Sequence, residues 1–167
     1  MLETITFKGK TYPKFQSEGN AARFVIPFAK EVCKGAGVDV GCNRMEWALP
    51  GAFAVDPVID IFDAYNFPQI IGGYDYIFSS HCLEHLPDWV KALDYWHDSI
   101  KSGGVVFLYL PDHSQVYWRP YHNRKHIHSF TPQIVGSYFT DQPEKWKNVF
   151  ISGVDLNNSF TIIAEKV

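Results

Sequence analysis

The segment His81-Cys82-Leu83-Glu84-His85 sets two imidazoles and a carboxylate at spacings of three and four residues. On a helical turn those spacings bring all three side chains to one face. Further along, Tyr121-His122-Asn123-Arg124-Lys125-His126-Ile127-His128 adds more imidazoles, and in an extended segment His126 and His128 point to one side. Imidazole titrates near neutral pH, so His81, His85 and His126 are candidate general bases. Together with Glu84 the same three histidines form a candidate divalent-metal set, suited to zinc, manganese or iron rather than calcium.

A second constellation precedes it. The run Val38-Asp39-Val40-Gly41-Cys42-Asn43 reads as a strand ending in a glycine, and Val55-Asp56-Pro57 ends a second strand 17 residues beyond Asp39. Glycine lets a ligand approach the backbone, and a carboxylate at the second strand end can accept hydrogen bonds from two ribose hydroxyls. Neither the third glycine of GxGxxG nor the GK[ST] of a P-loop is present. The pair therefore reads as a nucleoside site without a phosphate cradle. A glycine after a strand is equally an ordinary turn, so the pair alone leaves both readings open.

The elements that must position these groups follow from apolar patterning. Uninterrupted apolar runs at Ala36–Val40, Ala52–Val55, Val58–Phe62, Tyr74–Ser79 and Val105–Leu110 predict strands buried on both faces. Apolar residues at helical spacing predict a helix over Ser17–Lys34, kinked at Pro27 and stopped by Gly35. A second helix runs from the N-cap Asp88 to Lys101, ended by Gly103-Gly104. A third opens at Thr131-Pro132, and strands Lys147–Ile151 and Phe160–Glu165 close the chain. Strands alternating with helices predict an α/β fold with a mainly parallel sheet. The connection Pro111–Ser129 is long and patternless, which suits a substrate lid. In it Tyr117 and Arg119 are expected to touch the substrate and Trp118 to pack.

Composition narrows the classes. The 167 residues are 46% hydrophobic, which supports a real core, and 15 basic against 18 acidic side chains give a formal charge of −3. That balance argues against a domain that coats nucleic acid. No apolar run approaches the ~20 residues of a membrane helix, and the N-terminus lacks the pattern of a signal peptide. Three cysteines without a CxxC pair fit reduced, buried thiols, so a cytoplasmic setting is expected. Aromatic residues are abundant, with 13 Phe, 9 Tyr and 5 Trp.

Four segments in order carry a family resemblance: Val38-Asp39-Val40-Gly41-Cys42, then Pro50-Gly51-Ala52-Phe53-Ala54-Val55-Asp56, then Tyr74-Asp75-Tyr76-Ile77-Phe78-Ser79-Ser80-His81-Cys82-Leu83-Glu84-His85-Leu86, then Ile100-Lys101-Ser102-Gly103-Gly104-Val105. From about Ser17 to its end the chain resembles the class I S-adenosylmethionine-dependent methyltransferases, in particular small type 11-like domains. The resemblance implies one methyltransferase domain over 1–167, with 1–16 as an N-terminal extension. It also implies a doubly wound, mainly parallel seven-strand sheet, an antiparallel last strand and a shortened first crossover helix.

By the same resemblance Asp39, Gly41 and Cys42 hold the methionine end of S-adenosylmethionine, and Asp56 takes the ribose hydroxyls with Pro57 beside it. Asp63 and Ala64 read the adenine, while Ser79, Ser80 and His81 face the methionine amine. The motif reads Gly41-Cys42-Asn43-Arg44-Met45 where the family has Gly-x-Gly-x-Gly, so Asn43 and Arg44 replace residues that normally let the chain fold tightly under the cofactor carboxylate, and Arg44 can pair with that carboxylate. The histidine segment resembles the Glu-x-x-Glu-His motif, with a later histidine, of methyltransferases that use a metal to hold a hydroxylated substrate. Here His81 takes the place of the first Glu, and His126 matches the later histidine.

The expected activity is methyl transfer to an oxygen or nitrogen of a small-molecule acceptor, releasing S-adenosylhomocysteine. A non-catalytic nucleoside-binding or partner module with the same fold is the alternative, motivated by the missing glycines. Neither nucleic acid nor a membrane is an expected partner. With so short a chain the acceptor's contacts must come from the Pro111–Ser129 loop, the N-terminal segment or a second subunit in a homodimer.

Overall fold

The computed structural model describes residues 4–7, 9–14, 19–114, 116–123 and 125–167. Strands β1 (Thr4–Phe7) and β2 (Lys10–Pro13) form a separate antiparallel hairpin. The rest is an α/β unit. Helix α1 (Ala22–Val32) leads into β3 (Gly37–Val40), and a 3-10 turn at Met45–Trp47 replaces the first crossover helix before β4 (Phe53–Val55). Then follow β5 (Tyr74–Ser80), α2 (Trp89–Ser99), β6 (Ile100–Pro111), α3 (Pro132–Thr140), β7 (Trp146–Ile151) and β8 (Ser159–Lys166). No described helix is long and apolar enough to cross a membrane.

The main sheet has the order β4-β3-β5-β6-β8-β7. Strands β4, β3, β5 and β6 are parallel, and β8 runs antiparallel between β6 and β7. Alternate side chains feed two cores. Val38, Ile77, Val106 and Leu108 join Leu93 and Trp96 of α2 and Val135 and Phe139 of α3. From the opposite face Tyr76, Phe78, Phe107 and Tyr109 pack on Val25 and Ala29 of α1. Both faces are covered, which is why the strands read as continuous apolar runs.

The described sheet has six strands rather than the expected seven. Val58–Phe62, expected to be a strand, is a series of turns started by Asp56. Its Oδ1 accepts from the Val58 amide at 2.9 Å, and its carbonyl accepts from Ile59 and Asp60 at 2.8 and 3.1 Å. With β4 left as a three-residue edge, Val58 and Ile61 stand exposed. Helix caps follow the sequence closely. Asp88 accepts from the Lys91 amide and Thr131 from the Ile134 amide. Gly103-Gly104, however, lies inside β6 rather than ending a helix, because α2 stops at Ser99 and Ile100 already pairs with Tyr74. Helix α1 runs through Pro27, and Ser17, its expected start, lies outside the described residues.

Candidate functional site

The registers Val40↔Val55, Val40↔Ser79 and Ser80↔Tyr109 bring the carboxyl ends of β4, β3, β5 and β6 level. The chain leaves β3 toward β4 on one side and β5 lies on the other, so these ends flank the crevice where doubly wound sheets bind ligands. A cavity of about 1020 Å³ opens there.

Its floor is the turn after β3. Gly41 has φ +86° and its amide donates to the Val55 carbonyl at 2.8 Å, tying the two strand ends together. Asn43 follows with φ +63°. Asparagine is the non-glycine residue that best tolerates this left-handed region, so the turn closes tightly without its second glycine. Asp56 caps the turn from the other side: its Oδ2 accepts from the Asn43 amide at 2.8 Å. Gly41, Asn43, Asp56 and Pro57 all line the cavity.

The opposite wall is the segment Asp63–Asn66, closed by a bridge between those two residues. Asp63 Oδ1 accepts from the Tyr65 amide at 2.7 Å, and the indole Nε1 of buried Trp96 donates to the Ala64 carbonyl at 2.8 Å. Asp63, Ala64 and Tyr65 line the cavity.

Several predicted cofactor residues stand behind this surface instead of on it. Asp39 is buried, and its Oδ2 accepts from the Leu49 amide at 2.6 Å, anchoring the end of the Met45–Trp47 turn. Burial pushes its carboxyl up to about 7, the Leu49 bond works against that rise, and the charge of Asp56 adds to it. Cys42 is buried, its thiol pushed up to about 12 by burial and then by the charges of Asp39 and Asp56. Ser79 Oγ donates to the Val40 carbonyl at 2.8 Å, and Ser80 Oγ is buried without a hydrogen bond. Arg44 stacks its guanidinium 4.6 Å from the centre of the Trp47 ring, 3.9 Å from Glu46, and does not line the cavity.

The histidine cluster forms the third wall. The helical-face argument does not apply to it: Leu83–His85 is a 3-10 turn, and His81 precedes it with φ +51°. Convergence comes from the fold. The main-chain carbonyl of Glu84 accepts from the amides of Ile127 and His128 at 2.9 and 3.2 Å, fastening the returning loop onto the turn. Around Glu84 Oε1 lie His81 Nδ1 at 3.7 Å, His85 Nε2 at 3.8 Å and His126 Nε2 at 3.9 Å. Burial pushes the Glu84 carboxyl up to about 8. His81 is held well below the usual imidazole range by burial and then by His126 and His85, and His85 is lowered by burial. His81, His85 and His126 line the cavity. His128 does not join them; its Nε2 lies 2.9 Å from the Leu86 carbonyl and its ring stacks on Phe130.

From the long loop, Tyr117 lines the cavity, with His122, Asn123 and Lys125. Arg119 is drawn away, donating from Nε to the His113 carbonyl at 2.8 Å and from a terminal nitrogen to Tyr121 Oη at 3.1 Å. The side chain of Trp118 lies outside the described residues. Sequence reasoning missed Gly19 and Ala21, which approach the cavity ahead of α1. The only signal for them was a glycine just before a helical pattern.

Residues 18–142 match a family model described as a methyltransferase domain. No curated protein matches the chain at a significant level. Among solved structures, a SAM-dependent methyltransferase from Archaeoglobus fulgidus is 16% identical with a TM-score of 0.64, covering 92% of this chain and 99% of its own. One from Aquifex aeolicus is 15% identical with a TM-score of 0.63, covering 92% and 97%. The N-methyltransferase NodS from Bradyrhizobium japonicum WM9, in complex with S-adenosyl-L-homocysteine, is 14% identical with a TM-score of 0.59, covering 91% and 87%. These three are likenesses of fold.

Proposed function

This chain belongs to the methyltransferase-domain family, and we propose that it moves the methyl group of S-adenosylmethionine to an oxygen or nitrogen of a small-molecule acceptor. The observation that carries the reading is the pairing of Asp56 with the Gly41–Asn43 turn at one end of a 1020 Å³ cavity. Ligand pockets commonly run to about 300–1,000 Å³, so there is room for a nucleoside and an acceptor together.

The residues present suit that cofactor. Asp56 offers a carboxylate to ribose hydroxyls, and Asp63 sits on the neighbouring wall. Val40, Val55, Ala64 and Leu86 give apolar surface for a flat base. Two left-handed residues, Gly41 and Asn43, bring backbone to the ligand without a side chain at Gly41. When bound, the cofactor supplies a methyl group activated on a sulfonium.

The chain's part is alignment and exclusion of water. Asp56, Asp63 and Ala64 hold the nucleoside end, with Gly41 and Asn43 beneath it. At the other end Tyr117, with His122, Asn123, Lys125 and His126, covers the acceptor. A proton leaving the acceptor is taken by an imidazole of that wall. His81, His85 and His126 are the candidates: burial favours the neutral, proton-accepting form of His81 and of His85.

Calorimetry with S-adenosylhomocysteine tests the reading. We expect saturable binding tighter than about 1 mM, weakened at least tenfold by Asp56→Ala. Absence of binding at that concentration overturns the proposal, and binding unchanged in Asp56→Ala removes Asp56 from the ribose.

A further inference from the structure

A charged side chain that lines a cavity and meets no opposite charge of its own chain can receive the charge of a ligand. Lys125 is such a group. Among the described residues lining the cavity it is the only lysine or arginine. No described carboxylate stands within ion-pair distance of its ammonium. The two carboxylates that line the cavity lie at the nucleoside end and are already engaged. Asp56 accepts from the Asn43 and Val58 amides, and Asp63 accepts from the Tyr65 amide. The cavity is therefore polarised, acidic at the nucleoside end and cationic along the histidine wall.

The main chain holds Lys125 from both sides. Its amide donates to Asn123 Oδ1 at 3.0 Å, and its carbonyl lies 2.7 Å from His85 Nδ1. The first bond also settles the carboxamide of Asn123, because the atom facing an N–H must be the oxygen. The two hydrogens on Asn123 Nδ2 then have no acceptor among the described residues. Asn123 is half-buried and lines the cavity. An ammonium and a carboxamide N–H thus stand two residues apart on one turn, each without an acceptor.

The ammonium acts on the same wall. The imidazole of His85 is lowered first by burial and further by the Lys125 charge, against the bond it makes to the Lys125 carbonyl. The two arginines that the sequence offered for this work are engaged elsewhere. Arg119 is bonded to the His113 carbonyl and Tyr121, and Arg44 lies on Trp47.

We propose that Lys125 and Asn123 form an anion subsite, and that the methyl acceptor is a small molecule carrying a carboxylate or a phosphate ester. Both anions accept charge-assisted hydrogen bonds from an ammonium and a neighbouring N–H. Because the Lys125 carbonyl is tied to His85, an acceptor held there lies against the imidazoles that can take its proton. The acceptor half of the proposal rests on the methyl-transfer reading; the anion subsite does not.

The test uses the full chain and three probes, benzoate, phenyl phosphate and benzamide, titrated by calorimetry with and without S-adenosylhomocysteine. Benzamide matches benzoate in shape and lacks its charge. We expect at least one of the two anions to bind about tenfold or more tighter than benzamide. The tighter of the two names the anionic group. Lys125→Met should abolish that preference, and Lys125→Arg should keep most of it. Asn123→Asp keeps an oxygen for the Lys125 amide but sets a negative charge in place of the N–H, so it should abolish the preference as well. Lys30→Met, on α1 and off the cavity, should leave it unchanged. The described bonds of Lys125 are made by its main chain, so Lys125→Met should melt with the wild type.

Benzamide binding as tightly as both anions overturns the subsite, as does absence of anion binding at about 10 mM. A preference that survives Lys125→Met overturns it too. S-adenosylhomocysteine has a carboxylate of its own, and 5′-methylthioadenosine lacks the amino-acid part. If Lys125→Met weakens the first and spares the second, Lys125 serves the cofactor and the acceptor's charge is not its partner. S-adenosylhomocysteine bound without any anion preference sinks the subsite alone. An anion preference in a chain that does not bind S-adenosylhomocysteine sinks methyl transfer and, with it, the acceptor's place there.

Discussion

Gly41 and Cys82 are packed so closely that a Cβ on Gly41 would fall 2.5 Å from both Cβ and Sγ of Cys82. The glycine serves two demands at once, a left-handed φ of +86° and contact with the segment that leads from β5 to Glu84. Gly41→Ala should therefore destabilise by about 2–4 kcal/mol, adding backbone strain to a core clash. Urea unfolding measures the loss. S-adenosylhomocysteine affinity should fall as well, since moving Cys82 shifts the floor and the histidine wall together. A variant as stable as wild type would show that Cys82 yields freely.

Trp96 governs the other wall from beneath. It is fully buried, and its indole N–H is the partner of the Ala64 carbonyl. Trp96→Phe keeps an aromatic ring in the core but leaves that carbonyl unpaired and a small void. The expected cost is about 2–3 kcal/mol. The same variant should bind S-adenosylhomocysteine more weakly although Trp96 does not line the cavity, because Asp63 and Ala64 lose their anchor. Equal affinity at full occupancy of the folded state would show that the Asp63–Asn66 bridge holds the segment unaided.

Asp39 makes stability depend on pH. Its carboxyl is raised by burial to about 7 from an ordinary 3.8, so the folded state holds the proton more tightly than the unfolded chain. The stability contributed by this group is therefore complete below about pH 3.8, lost as pH rises toward 7, and constant above. The loss is on the order of 4 kcal/mol. Asp39→Asn keeps an oxygen for the Leu49 amide and cannot ionise. The difference in unfolding free energy, variant minus wild type, should rise between pH 4 and pH 7 and then level. A flat difference in urea titrations across that range would mean that the Leu49 bond outweighs burial.

Much of the architecture was legible along the chain, and particular residues show why. The runs that became β3, β5 and β6 are apolar on both faces because helices cover both faces. Asp88 and Thr131-Pro132 start their helices through contacts made within four residues. The run Val58–Phe62 misled because apolar character alone cannot distinguish a strand from turns. The decision lay with Asp56, whose carboxylate and carbonyl wind the chain back at once. Gly103-Gly104 misled similarly, since pairing of Ile100 with Tyr74 had already begun a strand.

For the site, the sequence alone determined which groups could act at strand ends: Gly41 and Asp56 by their place after apolar runs, and His81, Glu84 and His85 by neighbourhood. It also supplied, in Asn43, a residue able to take a left-handed turn where glycine was missing. The tertiary structure decided who faces the ligand. Asp39, one residue from lining Val40, turns under the sheet because strand side chains alternate, and Arg44 lies on Trp47. It alone brought His126 to Glu84, across 42 residues, through two amides on one carbonyl. Local spacing encodes what a turn can do by itself; a buried carboxylate ringed by imidazoles exists only once separate segments have been packed away from water.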